Sequence, residues 1–183
     1  MHNTKMVIYF LRHANAGQKQ FSNPARDEKR PIDKTGEEQS HDVGRALASI
    51  GVTANIVISS PLTRAVQTAH IVAREIGYEE KVVLDDALRP EAQFEQFKAL
   101  LNRHKDKTAI MVVGHDPSMT EFVNRVLSGG RPLAAIEMKK GGVAKVQTEL
   151  RGPAVLRWCM TPKVVQRIQR SSAKRSRPKT DLK

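Results

Sequence analysis

Short runs rich in β-branched residues alternate with segments of helical periodicity along nearly the whole chain, and that alternation narrows the folds open to it more than any other feature. The runs predict strands over 6–11, 55–59, 81–84 and 109–113, with a late pair, 143–148 and 154–160, read as one unit. Between them the spacing turns helical. Thr35 and Glu38 form a capping box, Val43, Leu47 and Ile50 follow at i, i+4 and i+7, and Gly51 supplies a stop. Ser60 and Pro61 open a second helix as N-cap and first residue, with Leu62, Ala65, Ala69, Val72 and Ile76 on its apolar face and Gly77 at its end. A third helix carries Phe94, Phe97 and Leu101; a fourth begins near 116–118, presents Phe122, Val123, Val126 and Leu127, and stops at Gly129. Strands separated by helices imply a mostly parallel sheet covered on both faces, a three-layer α/β/α domain. The late pair, joined across "LRGP", adds an antiparallel hairpin.

The chain has 183 residues, 39% of them hydrophobic, enough for one core. The domain is expected to span 1–170. Net charge is +12, but residues 163–183 hold eight Lys or Arg against one acid, so this end supplies +7 and leaves +5 for the rest. Residues 171–183 therefore read as a basic, disordered tail, where any contact with nucleic acid would be made. Cys159 is the sole cysteine, so no intramolecular disulfide can form and a reducing compartment is implied. The opening residues lack a signal-peptide pattern, and no apolar run reaches membrane-span length. The expectation is a cytoplasmic protein without a membrane partner.

Three strand ends stand out: "FLRHA", "VISSPLTRA" and "VVGHD". Parallel strands align their carboxyl ends at one edge of the sheet, so Arg12, His13, Arg64 and His115 can converge there. Two arginines and two histidines make a phosphate site by inventory. Arg64 falls in the first turn of its helix, where the dipole disfavours a cation; a bound anion resolves that conflict, and so does a guanidinium that extends outward into water. His115, taken singly, equally suits a hydrogen-bonded structural residue. Residues 17–34, polar and carrying Pro24 and Pro31, read as a long loop after the first strand, the kind that is often functional.

"LRHA", "SSPLTRAVQTA" and "VVGHDPS" resemble the histidine phosphatase superfamily, and "RPIDKTG" with the late "LRWCMTPK" resembles its SixA-type phosphohistidine phosphatase branch. The likeness runs from about Lys5 to Lys163. It implies a phosphoglycerate mutase-like fold and a metal-independent phosphatase with no cofactor, active in signal transduction. It also implies that His13 is the nucleophile, with Arg12, Arg64 and His115 stabilising the phosphoryl group. The substrate implied is a phosphorylated protein, its phosphohistidine the donor. The family's commoner motif has Gly where this chain has Ala14, a difference of one methyl group. Members that cleave phosphate esters place a carboxylate to protonate the leaving group; the candidate here is Glu91 in "ALRPEA", which alternatively is a first-turn acid of the third helix. Arg30 matches the branch's "RPL" pattern and either lines the pocket entrance or holds the loop through backbone carbonyls. Two other functions stay open: a phosphatase of small phosphate esters or anhydrides using Glu91, and a binding module without turnover, recognising phosphate in the pocket or nucleic acid through the tail.

Overall fold

The computed structural model describes residues 5–18, 23–131, 135–149 and 154–175. His2 and the tail beyond residue 175 lie outside them. Strand β1 (Lys5–Arg12) leads through a short helix α1 (Pro24–Glu28) to α2 (Lys34–Ser49), then β2 (Ile56–Ser59), α3 (Thr63–Glu75) and the two-residue β3 (Val83–Leu84). A single 3-10 turn (Asp86–Leu88) precedes α4 (Phe94–Arg103); β4 (Ala109–Gly114), α5 (Ser118–Leu127), β5 (Val143–Glu149), β6 (Ala154–Met160) and α6 (Pro162–Arg175) follow.

The sheet has six strands in the order β3-β2-β4-β1-β5-β6. β3, β2, β4 and β1 run parallel, while β5 is antiparallel to both β1 and β6, as the late hairpin predicts. Alternation along β1 builds two cores. Met6, Ile8 and Phe10 face α4 and α5, against Phe97, Leu100, Met119 and Phe122. Tyr9 and Leu11 face the other side, against Val43 and Leu47 of α2, Ala69 and Val72 of α3, and Val165 of α6. β4 is apolar throughout because it is central and covered on both faces. Among the described residues no helix is long and apolar enough to cross a membrane.

Local chemistry explains where the elements differ from the sequence-based expectations. α2 is capped by Asp33, whose side chain accepts from the Gly36 N–H, and not by Thr35. α3 starts at Thr63 with Leu62 as its N-cap; Ser60 lies two residues upstream, where its Oγ accepts from the Leu62 N–H and pairs with His115. The polar stretch 17–34 is not continuous loop: Asn23 caps α1 by accepting from the Ala25 N–H, and Pro24 supplies a first residue that lacks only an N–H the helix would not use. α6 continues to Arg175, five residues into the stretch assigned to the tail. Gly36 lets α2 press on the turn after β1, since a Cβ there would stand 2.0 Å from the Asn15 carbonyl oxygen.

Phe97 is fully buried, stacks on Phe122 at 4.6 Å between centroids and touches Phe10 at 5.6 Å. Phe97→Ala should lower the unfolding free energy by about 3–5 kcal/mol through the cavity it leaves. Urea denaturation followed by circular dichroism checks this.

Candidate active site

The carboxyl ends of β1, β2 and β4 meet at one edge of the sheet. Register decides which residues are neighbours there: Arg12 pairs with Gly114, and the His13 N–H donates to the Gly114 carbonyl at 2.9 Å. His13 and His115, each one residue past its strand, therefore stand side by side with ring centroids 4.9 Å apart. Arg64 reaches the same place from the first turn of α3. All four residues named from the strand ends line one cavity of about 740 Å³, together with Arg30, Glu91 and Lys140.

The turn carrying His13 is tied down on every side. The Ala14 N–H donates to Thr68 Oγ1 at 3.1 Å, and that hydroxyl in turn donates to the Arg64 carbonyl at 2.7 Å. The Asn15 N–H donates to Gln39 of α2, and the Gly141 N–H donates to the carbonyls of Arg12 and His13. Ala14 is fully buried, and no described residue other than glycine has positive φ, so alanine fits this turn without backbone strain. His13 Nδ1 lies 2.7 Å from the Ala14 carbonyl oxygen. A carbonyl only accepts, so Nδ1 carries the hydrogen and Nε2 is left with the lone pair.

Each arginine meets one carbonyl and one carboxylate. Arg12 Nη1 donates to the Met138 carbonyl at 2.7 Å and lies 3.6 Å from the Asp116 carboxylate. Arg64 Nη1 donates to the Asp27 carbonyl at 2.8 Å, and its Nη2 lies 3.4 Å from the Asp27 carboxylate. In both, Nε is buried without a protein partner, and so is Nδ1 of His115, whose Nε2 pairs with Ser60 Oγ at 2.8 Å. Buried polar atoms without partners are costly, and three of them belong to residues that line this one cavity.

Burial also sets the charge of the histidines. His13 is lowered from the usual 6.5 to about 3, chiefly because the buried ring resists charging; the Ala14 carbonyl pulls it part of the way back, and Arg64, Arg12 and Lys140 each add a smaller repulsion. His115 is lowered to about 2 by burial, then by His13 and the same two arginines. Burial likewise pushes Arg64 down while Asp27 pulls it back, and an arginine keeps its charge regardless. The cavity thus holds fixed cations beside neutral imidazoles.

Arg64 does not extend into water: its side chain is 5% exposed. Arg30 lines the cavity and also holds the loop, with Nη1 donating to the Ala16 carbonyl at 2.6 Å and Nε to Asp27 Oδ1 at 2.9 Å. Glu91 is not a first-turn acid of the third helix. That helix, α4, is capped by Gln93 and its first-turn acid is Glu95, which leaves Glu91 exposed in the preceding turn on the cavity wall. Five charged cavity residues escaped the sequence reading: Asp27, Glu28, Arg89, Asp116 and Lys140. Asp27 precedes Arg30 by three residues, a spacing that allows an ion pair. Lys140, whose Nζ donates to Asn15 Oδ1 at 3.3 Å, carries no comparable mark. Among the described residues no group of three or more His, Cys, Asp or Glu is placed to hold a metal ion.

Residues 8–98 match the family described as Histidine phosphatase superfamily (branch 1). An uncharacterised protein of the cyanobacterium Picosynechococcus is 30% identical over 141 residues, spanning 75% of this chain and 82% of that protein. The structure of the protein histidine phosphatase SixA complexed with tungstate superposes with a TM-score of 0.76 at 22% identity, covering 86% of this chain and 98% of SixA. Phosphoglycerate mutase from Bacillus anthracis superposes at 0.65 with 13% identity, covering 92% of this chain and all of the mutase. These likenesses show a phosphoglycerate mutase-like α/β fold.

The low values for His13 and His115 fix the sign of a pH effect on stability. Below about pH 6.5 an unfolded chain takes up protons that the native rings refuse, so stability is complete above that pH and declines as pH falls toward about 3. The urea midpoint of the unliganded protein should be lower at pH 5 than at pH 7.5. The double variant His13→Asn, His115→Asn should flatten that dependence.

Proposed function

The chain belongs to the histidine phosphatase superfamily, and from that footing we propose that it hydrolyses a phosphorylated substrate in two steps, through a phosphoryl group carried on Nε2 of His13. The observation that carries this reading is the bond from His13 Nδ1 to the Ala14 carbonyl. It commits the ring to the tautomer whose Nε2 can attack, and burial keeps that nitrogen unprotonated at neutral pH.

In the first step the Nε2 lone pair forms a bond to phosphorus while the bond from phosphorus to the leaving group breaks, with the electron pair departing on the leaving atom. The guanidinium groups of Arg12 and Arg64 and the free Nδ1 of His115 take the non-bridging oxygens, satisfying the three unpartnered atoms. Ser60 sets the role of His115. Its oxygen accepts from the Leu62 N–H at 3.4 Å, so its own hydrogen can go to His115 Nε2, and Nδ1 then bears the ring's hydrogen as a donor. In the second step a water oxygen attacks phosphorus, the P–Nε2 bond breaks, and inorganic phosphate leaves with the electron pair restored to His13. Positioning and charge account for the chemistry, as phosphoryl transfer requires, and no step needs a metal.

For the substrate we propose phosphohistidine on a protein. The likeness in fold to a protein histidine phosphatase supports this, as does the leaving-group chemistry: an imidazole can depart already protonated, so no buried acid has to serve it. A specific observation favours a second reading. Glu91 is free of helix α4 and lies on the cavity wall, where it can protonate the alkoxide of a phosphate ester.

His13→Ala should abolish dephosphorylation of a phosphorylated histidine-transfer domain; undiminished turnover by that variant would contradict the two-step route. Glu91→Gln should leave phosphohistidine hydrolysis within about twofold of wild type. On an alkyl phosphate, a loss of about 10²-fold or more would identify Glu91 as an ester acid.

A further inference from the structure

We infer that Asp27 is a positioning residue for the phosphate site, fixing the guanidinium of Arg64 so that its unpartnered edge is presented to the phosphoryl group. The inference rests on the phosphatase reading given above, and it concerns a residue that touches none of the reacting atoms.

Asp27 offers three acceptor atoms, and each of them meets one of the two arginines beside it. Its carbonyl accepts from Arg64 Nη1 at 2.8 Å and from the Arg30 N–H at 3.2 Å. Oδ1 accepts from Arg30 Nε at 2.9 Å, and Oδ2 lies 3.4 Å from Arg64 Nη2. Both terminal nitrogens of Arg64 are therefore engaged by one residue, while Nε is left buried and without a partner. A guanidinium presents its five N–H groups in one rigid plane, so holding the two terminal nitrogens also fixes the direction in which Nε–H points.

Arg12 also meets a carbonyl and a carboxylate, those of Met138 and Asp116, although both lie at its Nη1, and its Nε is again buried without a protein partner. A carboxylate beside a phosphate site is electrostatically unhelpful in itself, since it repels the anion the site is built to bind. Two of them, each against a terminal nitrogen of an arginine whose Nε has no protein partner, make sense as holders of those arginines. Asp27 has firm support for this task. It lies in α1, which Asn23 caps; Arg30 ties the same residue to the Ala16 carbonyl beyond β1, and the neighbouring Glu28 pairs with Arg89 across the cavity at 2.8 Å.

The sign of one measurement separates positioning from charge. By Coulomb repulsion alone, removing the Asp27 carboxylate should tighten the binding of an oxyanion. If Asp27 positions Arg64, its removal should weaken binding instead. Titration calorimetry with tungstate on the full chain should show an affinity loss of about tenfold for Asp27→Ala and a smaller one for Asp27→Asn, which keeps the acceptor oxygen but not the charge. In an Arg64→Ala background, Asp27→Ala should change tungstate affinity by less than about twofold, because the residue it positions is gone. Turnover of phosphohistidine should follow, with kcat and kcat/KM falling together for Asp27→Ala. Thermal midpoints of both Asp27 variants establish that each is folded. Tightened or unchanged tungstate binding in Asp27→Ala and Asp27→Asn would overturn the inference, as would an equal loss with and without Arg64. If tungstate binds wild type and Arg64→Ala alike, the phosphate site itself is misassigned, a failure distinct from that of Asp27 alone.

Discussion

The parallel pairing of β1 with β4 is the contact on which the site depends. With Arg12 opposite Gly114, the first residues beyond the two strands are His13 and His115, and the His13 N–H is anchored on the Gly114 carbonyl. A slip of one residue would send Ile8 and Phe10 to the wrong core and separate the two rings. The apolar runs therefore do more than fill a core. Because Met6, Ile8 and Phe10 can only pack toward α4 and α5, and Tyr9 and Leu11 only toward α2 and α3, hydrophobic alternation sets the register and the register sets the chemistry.

The site gathers cations at the edge where helix α3 also begins, with no acid in its first turn and no side-chain cap. Repulsion there is contained in two ways. The histidines stay neutral because they are buried among arginines, and the arginines are balanced by Asp27 and Asp116 from behind. What is left over is donor capacity: Nε of each arginine and Nδ1 of His115. A tetrahedral oxyanion has the oxygens to use it, and the fixed placement of these donors before any ligand arrives is what electrostatic preorganisation requires.

Much of this was readable from local pattern. β6 matches its expected bounds and the other strands differ only at their ends, because β-branched runs between turn residues leave little ambiguity. Arg12, His13, Arg64 and His115 could be placed together because strand ends of a parallel sheet share an edge. Long-range partners decided the rest. Ser60 looks like a cap but lies two residues upstream of the observed one, Leu62, and pairs with His115, and Thr35 looks like a cap although Asp33 is better placed. Glu91 fell outside its helix because Gln93 and Gln96 form the capping box two residues later. Lys140 reaches the cavity only through the segment that hydrogen-bonds to Arg12 and His13, a pairing more than a hundred residues apart that no local pattern encodes.

The central claim is that His13 waits as a neutral imidazole with its hydrogen on Nδ1 and its lone pair on Nε2. Nitrogen-15 NMR of the histidine side chains, assigned with the His13→Asn variant and followed from pH 7.5 down to about pH 4, tests this directly. The account predicts that His13 shows a protonated Nδ1 and an unprotonated Nε2 at neutral pH and does not titrate above about pH 4. A hydrogen found on Nε2, or an ordinary titration centred near 6.5, would contradict it.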